Sequence, residues 1–121
     1  SVKVIAMGSF DENCKPHKKH CIFNILDCKK LTIGDGGVFY RVFFDHALPF
    51  ETESTTICCT VNRITKKDVC TIIPVSNFSA YMSKSGKEID VLIGGEMDNS
   101  GKILKGGEDC PFDVIVYEWQ S

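Results

Sequence analysis

The sequence has few of the features that mark membrane proteins and nucleic-acid-binding proteins. Its 121 residues carry a net charge of −2, with no long block of one sign. The most basic stretch, residues 15–19, contains only three lysines, whereas nucleic-acid binding usually needs a basic face on the whole domain. No apolar run approaches the roughly 18 residues that a transmembrane helix requires. We therefore predict no nucleic-acid partner and no membrane span.

Catalytic motifs are also lacking. No serine lies in a nucleophile elbow, and the glycines of residues 34–37 are not followed by the Lys-Ser/Thr pair of a phosphate-binding loop. A cysteine nucleophile needs an orienting base, and no cysteine lies in such a motif. His17 or His46 with a lysine could serve a hydrolase, although their spacing does not require it. We predict that the protein is not an enzyme and has no catalytic residue and no cofactor; a hydrolase is the last of three functional hypotheses.

Cysteine, in contrast, is abundant. The seven cysteines form no CxxC pair of the zinc-ribbon type; they are Cys14, Cys21, Cys28, Cys58, Cys59, Cys70 and Cys110. Scattered cysteines in a small domain are typical of disulfides in secreted proteins. Asn77 begins an Asn-Phe-Ser glycosylation acceptor, and no signal-peptide core is visible near Ser1. We predict a mature, secreted, extracellular glycoprotein; the alternative is a cytosolic protein with buried free thiols.

Four residues of zinc-ligand type lie close together in the sequence: Cys14, His17, His20 and Cys21. His20 and Cys21 are neighbours, which is awkward geometry for one ion. We predict surface histidines beside disulfide cysteines, and no metal site.

Adjacent Cys58 and Cys59 lie in a run, residues 56–64, that alternates like a strand, so their side chains point in opposite directions. We predict that Cys59 faces the core and Cys58 faces outward. Seven cysteines cannot all pair within one chain, and Cys58 is the best candidate for a free thiol or for the link in a homodimer. An internal disulfide from Cys58 to an N-terminal cysteine is equally compatible with the sequence.

Turn residues divide the chain into short β-rich runs. The predicted strands are residues 2–7, 22–33 with an interruption at 27–30, 38–46, 56–64, 69–75, 89–93 and 112–119. In the third run, one face is formed by Val38, Tyr40, Val42 and Phe44. Gly94 and Gly95 lie in a strand-like run, where they indicate a bulge or a close backbone contact. No linker or repeat interrupts the chain, so residues 1–121 are predicted to form one disulfide-stabilised β domain.

One short helix is predicted after residue 76. Phe78, Tyr81 and Met82 fall at helical spacing, Ser76 could cap the helix and Gly86 could end it. One helix among many short strands favours an all-β fold, a five-stranded Greek-key barrel of the OB type. A β-sandwich is the alternative.

The C-terminal half carries a family pattern. Residues 88–95 end in Leu-Ile-Gly-Gly, a glycine-containing hairpin follows at 100–102, and Cys-Pro-Phe follows at 110–112. This pattern resembles the netrin-like module, best known as the N-terminal domain of tissue inhibitors of metalloproteinases. Residues 14–21 are similar to the Cys-, Pro- and His-containing loop of that family, and Cys70 to the cysteine that precedes its Leu-Ile-x-Gly strand.

The resemblance implies an OB-fold barrel and an extracellular binding role. It also implies disulfides, in which Cys14 and Cys21 bond to Cys70 and Cys110. Inhibitors of this family begin with Cys-x-Cys, whose free amine and carbonyl chelate the zinc of the protease. This sequence begins Ser1-Val2. If Ser1 is the native start, we expect no inhibition by that route, because the internal Cys14 has no free amine.

The leading functional hypothesis is a secreted module that binds an extracellular protein, as a protease inhibitor or as an immunomodulatory or receptor- or matrix-binding protein. Because loops on a rigid scaffold carry function, the predicted binding residues lie in two loops: Asn13, Cys14, Lys15, Pro16, His17, Asp35 and Gly36. The second hypothesis is a carrier, because eight phenylalanines could line a cavity for a small apolar ligand. Tyr117 and Trp119 share one face of the last strand, where a core or rim role competes with a binding role.

Overall fold

The structure is a computed structural model that describes residues 1–17, 22–48, 55–64, 72–75 and 77–121. Within these ranges the protein is all-β. Its ten strands are β1 (Val2–Phe10), β2 (Ile25–Thr32), β3 (Val38–Phe44), β4 (Thr55–Ile64), β5 (Ile72–Pro74), β6 (Phe78–Met82), β7 (Glu88–Ile93), β8 (Glu96–Met97), β9 (Ile103–Lys105) and β10 (Phe112–Gln120). None of the described segments forms a helix that could cross a membrane.

The strands form two four-stranded antiparallel sheets and one hairpin. The first sheet has the order β1-β10-β4-β5, the second has the order β2-β3-β7-β6, and β8 pairs with β9. One hydrophobic core draws side chains from both sheets, so the sheets face each other as a sandwich. The predicted all-β class is confirmed, and the described strands are not closed into a barrel.

Alternation of side chains builds the core. One face of β3 is buried along its whole length, at Val38, Tyr40, Val42 and Phe44. From the other sheet, β10 contributes the fully buried Phe112, Val114 and Val116. The Phe112 ring lies 4.6 Å from that of Tyr40 and 5.7 Å from that of Phe10, measured between ring centroids. Aromatic contact therefore joins the two sheets at this end of the core.

The predicted helix is wrong. Residues 78–82 form strand β6, which pairs with β7 from Phe78↔Ile93 to Met82↔Ile89. Phe78, Ala80 and Met82 pack against the core, and this spacing has the two-residue period of a strand. Tyr81 points to the opposite face, where its ring lies against Gly101. The neighbouring strand β7 thus decides a conformation that local spacing alone misassigns.

Strand β2 continues through residues 27–30, where the sequence predicted an interruption. A register shift lies between Ile25 and Asp27. After this shift, the two lysine side chains of the segment contact residues outside β2. Lys29 lies over the Phe43 ring at 5.5 Å, and Lys30 pairs with Asp109 at 3.1 Å. Of the predicted strand at 69–75, only residues 72–75 lie within the described ranges.

The glycines after β7 make the close approach that the sequence indicated. Gly94 and Gly95 both have positive φ, near 70°. A Cβ on Gly95 would lie 2.4 Å from the carbonyl oxygen of Lys105, too close for any side chain. These positions reverse the chain into the β8–β9 hairpin, whose tip at Gly101 reaches back to β6.

Candidate functional site

The first predicted binding loop follows β1. The Asp11 carboxylate organises it, because one oxygen accepts hydrogen bonds from the backbone N–H groups of Asn13 (2.8 Å) and Lys15 (2.9 Å). Cys14 lies within this turn at a φ of 64°, which is unusual for a residue other than glycine. Beyond it the chain turns back along β1, where the His17 N–H donates to the Ser9 carbonyl at 2.7 Å. Pro16 forms an isolated bridge with Phe10.

The second predicted loop, at Asp35 and Gly36, is held by different neighbours. Asp35 accepts from the N–H groups of Gly106 (2.9 Å) and Gly37 (2.8 Å), and these two bonds lower the pKa of its carboxyl group. Gly36 has a φ of 85°, which suits glycine in a tight turn. The two predicted loops follow the end of β1 and precede the start of β3, but each packs on its own neighbours. The structure does not combine them into one site.

Of the four cysteines that the netrin-like resemblance pairs in disulfides, Cys21 and Cys70 lie outside the described residues. Among the described cysteines no two sulfurs are at bonding distance. Cys14 lies beside Cys28, with 3.2 Å between the Sγ atoms. Cys110 is buried, and its backbone N–H donates to the Tyr40 hydroxyl at 3.2 Å. The neighbour of Cys14 is thus a cysteine to which the sequence assigned no partner.

Cys58 and Cys59 take opposite orientations, as the alternation predicted. Cys59 packs against the core, and burial raises the pKa of its thiol to about 12. Cys58 pairs in register with Tyr117 of β10 and shares the outward orientation of that residue. Asn77, the predicted glycosylation position, is exposed just before β6, and its carbonyl accepts from Gly94 N–H at 2.9 Å.

A cleft opens between the two sheets along β4 and β6. It has a volume of about 440 Å³ and is lined by Ile57, Cys58, Cys59, Phe78, Ala80, Met82 and Ile89. Strand β6 is the edge of its sheet, and β5 pairs only with Asn62–Ile64 of β4. The first half of β4 therefore faces β6 across the opening. Ile89, which is buried, belongs to the interior wall.

The side chains that β6 presents to this cleft are apolar, and none of the described residues that line it is charged. Among the described residues the cleft offers no acid, base or metal-ligand set, and its apolar side chains favour hydrophobic contact. Sequence reasoning missed the cleft because it placed Phe78 and Met82 on a helix. The alternation of Phe78, Ala80 and Met82 was the available signal, but it does not reveal which edges remain open.

A second apolar surface lies on the outside of the first sheet. Val2 pairs with Trp119 and Val4 with Tyr117 across β1 and β10, so these four side chains share one face, here called the terminal-strand face. Val2 (53%), Val4 (41%) and Trp119 (55%) remain largely exposed. The structure therefore places Trp119 outside the core.

The two histidines of the hydrolase hypothesis lie at opposite ends of the strands. His17 follows β1, whereas His46 follows β3 and contacts the Asp45 carboxylate. Another cleft, of about 420 Å³, lies beside His46, and the described residues that line it are Leu26, Asp27, Lys29, Phe43, Phe44, Asp45, His46 and Lys87, none of which is a Ser, Thr or Cys nucleophile. Over the part of the chain that the structure describes, no group of three or more His, Cys, Asp or Glu side chains could hold a metal ion. His20 lies outside that part.

No family model matches the chain, and no curated protein or solved structure is found to resemble it. The functional argument therefore rests on the residues of the chain itself.

Proposed function

We propose that this protein is a secreted, non-catalytic binding domain that holds an elongated apolar ligand in the cleft between its two sheets. The cleft is the observation that carries the proposal. Its volume of about 440 Å³ lies within the range of roughly 300–1,000 Å³ that is usual for small-molecule sites. Its walls come from both sheets, so a ligand placed there would lose contact with water on two sides.

The shape of the lining favours a chain-like ligand. Phe78, Ala80 and Met82 follow one another along β6, and five residues of strand extend over about 13 Å. Ile57 and Cys59 face them from β4. Each methylene buried in such a cleft contributes roughly 0.8 kcal/mol, and none of the described lining residues is a charged group that would require desolvation. A fatty acyl or isoprenoid chain has the matching chemistry.

Filling the cleft tests this proposal. Ala80→Phe places a large side chain between the sheets, whereas Leu104→Phe adds an aromatic ring at an exposed position on β9 and serves as the matched control. We expect a fluorescent fatty acid to bind wild type and Leu104→Phe alike, and to bind Ala80→Phe at least tenfold more weakly. Circular dichroism and thermal melts establish that both variants fold.

Native mass spectrometry supplies a second readout. Protein purified gently from an oxidising expression host should carry an apolar adduct, and the Ala80→Phe variant should carry less of it. Equal binding of the fatty acid by all three proteins, or by none of them, would contradict the proposal.

A second candidate function is recognition of an extracellular protein, such as a protease, receptor or matrix component. The terminal-strand face favours it, because Trp and Tyr are enriched in the centres of protein interfaces and Trp119 is 55% exposed. Trp119→Ser should abolish capture of a partner from extracellular fluid. The matched control is Leu26→Ser, since Leu26 is exposed on the other sheet. If both variants capture the same proteins as wild type, this face is not the interface.

Kinship with netrin-like modules and their barrel remains a prediction, as do secretion and the link between two copies through Cys58. The exposed position of Asn77 is compatible with a glycan, and the outward orientation of Cys58 is compatible with a homodimer. Electrophoresis without reductant tests the homodimer prediction, because Cys58→Ser should remove the dimer band.

A further inference from the structure

We propose that Cys14 and Cys28 form a disulfide bond that fastens the loop after β1 to strand β2. Their Sγ atoms are 3.2 Å apart. A disulfide requires about 2.0 Å, so the two sulfurs need to approach each other by only about 1.2 Å. No other pair of described cysteines has its sulfur atoms in contact, and Cys58 and Cys59 point to opposite faces of β4.

The backbone already holds Cys14 in place. Its N–H donates to the Asp11 carbonyl at 3.0 Å, and the Asp11 N–H donates to the Lys15 carbonyl at 2.8 Å. The Asp11 carboxylate closes the same turn through the N–H groups of Asn13 and Lys15. The positive φ of Cys14 is thus fixed by a hydrogen-bonded turn. The turn therefore holds Cys14 beside Cys28.

The position of Cys28 is also fixed, by its place in strand β2. It lies within β2, in register with Val42 of β3, and is only 5% exposed. Its backbone N–H donates to the Asp27 carboxylate at 2.8 Å. Cys14 is more exposed than Cys28, so it is the thiol that a reagent in solution reaches first.

The reaction is thiol–disulfide exchange with an external disulfide, such as glutathione disulfide, as the oxidant. The Cys14 thiolate attacks one sulfur of the oxidant, which forms a mixed disulfide and releases the first glutathione thiolate. The Cys28 thiolate then attacks the Cys14 sulfur, forms the intramolecular bond and releases the second. The two cysteine protons end on the two released thiolates, so two cysteines are oxidised and one glutathione disulfide is reduced. Contact with the Cys28 thiol lowers the pKa of Cys14, which assists the first step.

The cross-link would fix the loop that contains Asn13, Lys15, Pro16 and His17, four of the residues predicted to bind a partner. It also differs from the pairing implied by the netrin-like resemblance, in which Cys14 bonds to Cys70 or Cys110. The disulfide map of the wild-type protein therefore distinguishes the two arrangements directly.

Peptide mapping without reductant is the decisive experiment. Trypsin alone leaves Cys21 and Cys28 on one peptide, residues 20–29, but a protease that cuts before aspartate separates them at Asp27. Wild-type protein from an oxidising host, alkylated and then cut with both enzymes, should yield residues 11–18 linked to residues 27–29. Alkylation of both Cys14 and Cys28, or a link from either one to a different cysteine, would overturn the proposal.

Thermal melts supply an independent readout. The bond closes a loop of about 15 residues, so its loss should lower Tm by roughly 10 °C. Cys14→Ser, Cys28→Ser and the double variant should all melt at the same lowered temperature, and reductant should lower the Tm of each by less than it lowers that of wild type. Cys58→Ser, the control, should keep the full difference between oxidised and reduced protein. Additive effects of the two single substitutions would contradict a shared bond, and the wild-type map remains decisive if a variant fails to fold.

Discussion

The Tyr40 hydroxyl is a buried polar group whose hydrogen bonds link the core to the connection between β9 and β10. It donates to the Asp109 carboxylate at 3.0 Å and accepts from the Cys110 N–H at 3.2 Å. Tyr40 and Cys110 are both buried, whereas Asp109 is about half exposed and can turn to water. Burial, followed by the neighbouring Asp109, raises the pKa of Tyr40 above its usual value of 10.

Tyr40→Phe should reduce the free energy of unfolding by about 1–2 kcal/mol, as measured by urea denaturation at pH 7. The physical reason is that the Cys110 N–H stays buried without its partner, which costs more than loss of the hydrogen bond itself. The matched control is Tyr81→Phe, because the Tyr81 side chain is only partly buried; it should change stability by about 0.5 kcal/mol or less.

Tyr40→Phe should also change how the free energy of unfolding depends on pH above pH 10. Folded Tyr40 keeps its proton above pH 10, whereas the unfolded chain releases it, so wild type loses this contribution as pH rises above 10. Tyr40→Phe has no such proton and should lose less stability over that range. Parallel curves for the two proteins above pH 10 would show that Tyr40 titrates normally.

At the scale of elements, the β8–β9 hairpin is held against the outer face of β6. The turn between its strands, Asp98–Lys102, is closed by the Asp98 carboxylate, which accepts from the N–H groups of Ser100 (2.9 Å) and Lys102 (3.0 Å). Gly101 has a φ of 86°, and a Cβ there would lie 2.5 Å from the Tyr81 ring. Both the backbone conformation and the contact with Tyr81 therefore require glycine.

Gly101→Ala should destabilise the protein by roughly 1–3 kcal/mol, because the left-handed conformation and the overlap with Tyr81 both carry a cost. Gly34→Ala is the matched control, since a Cβ at Gly34 meets nothing within 4 Å. That substitution should be neutral, or should stabilise the protein by up to about 1 kcal/mol, because alanine lowers the conformational entropy of the unfolded chain. Chemical denaturation measures both, and equal effects would contradict the described position of the hairpin.

At the scale of the whole molecule, the two sheets are joined by packing at their interior, and an isolated antiparallel bridge between Met7 and Phe23 links β1 to the segment just before β2. Phe112 is fully buried and contacts Phe10 of its own sheet and Tyr40 of the opposite sheet. The apolar side of β10 therefore holds the sandwich together, while the opposite side of the same strand carries the exposed Trp119.

Phe112→Ala should reduce the free energy of unfolding by about 3–5 kcal/mol, through lost burial and the cavity left behind. Because the total free energy of unfolding of a small domain is only about 5–15 kcal/mol, the variant should be close to unfolding at 37 °C. Trp119→Ala removes a larger side chain from the same strand but should cost under about 1 kcal/mol, since Trp119 is 55% exposed. Similar losses in urea denaturation would contradict the assignment of the two faces.

Prediction from sequence succeeded where a strand alternates cleanly and has one face buried. The set of side chains that share one face of β3, the opposed Cys58 and Cys59, and the close backbone approach at Gly95 all follow from the two-residue period and from glycine geometry. It failed at residues 78–82, because Phe78 and Met82 fit helical spacing together with Tyr81 and strand alternation together with Ala80, and only pairing with β7 excludes the helix.

The sequence by itself determined that the chain is all-β and which side chains of β3 share a face, because both depend on period and composition within a few neighbouring residues. Only the tertiary structure decided that the sheets form a sandwich, that β4 and β6 leave an apolar cleft between them, and that Cys14 meets Cys28. The reason is that edges, clefts and cross-links depend on the relative placement of strands far apart in the chain, to which no local pattern is sensitive.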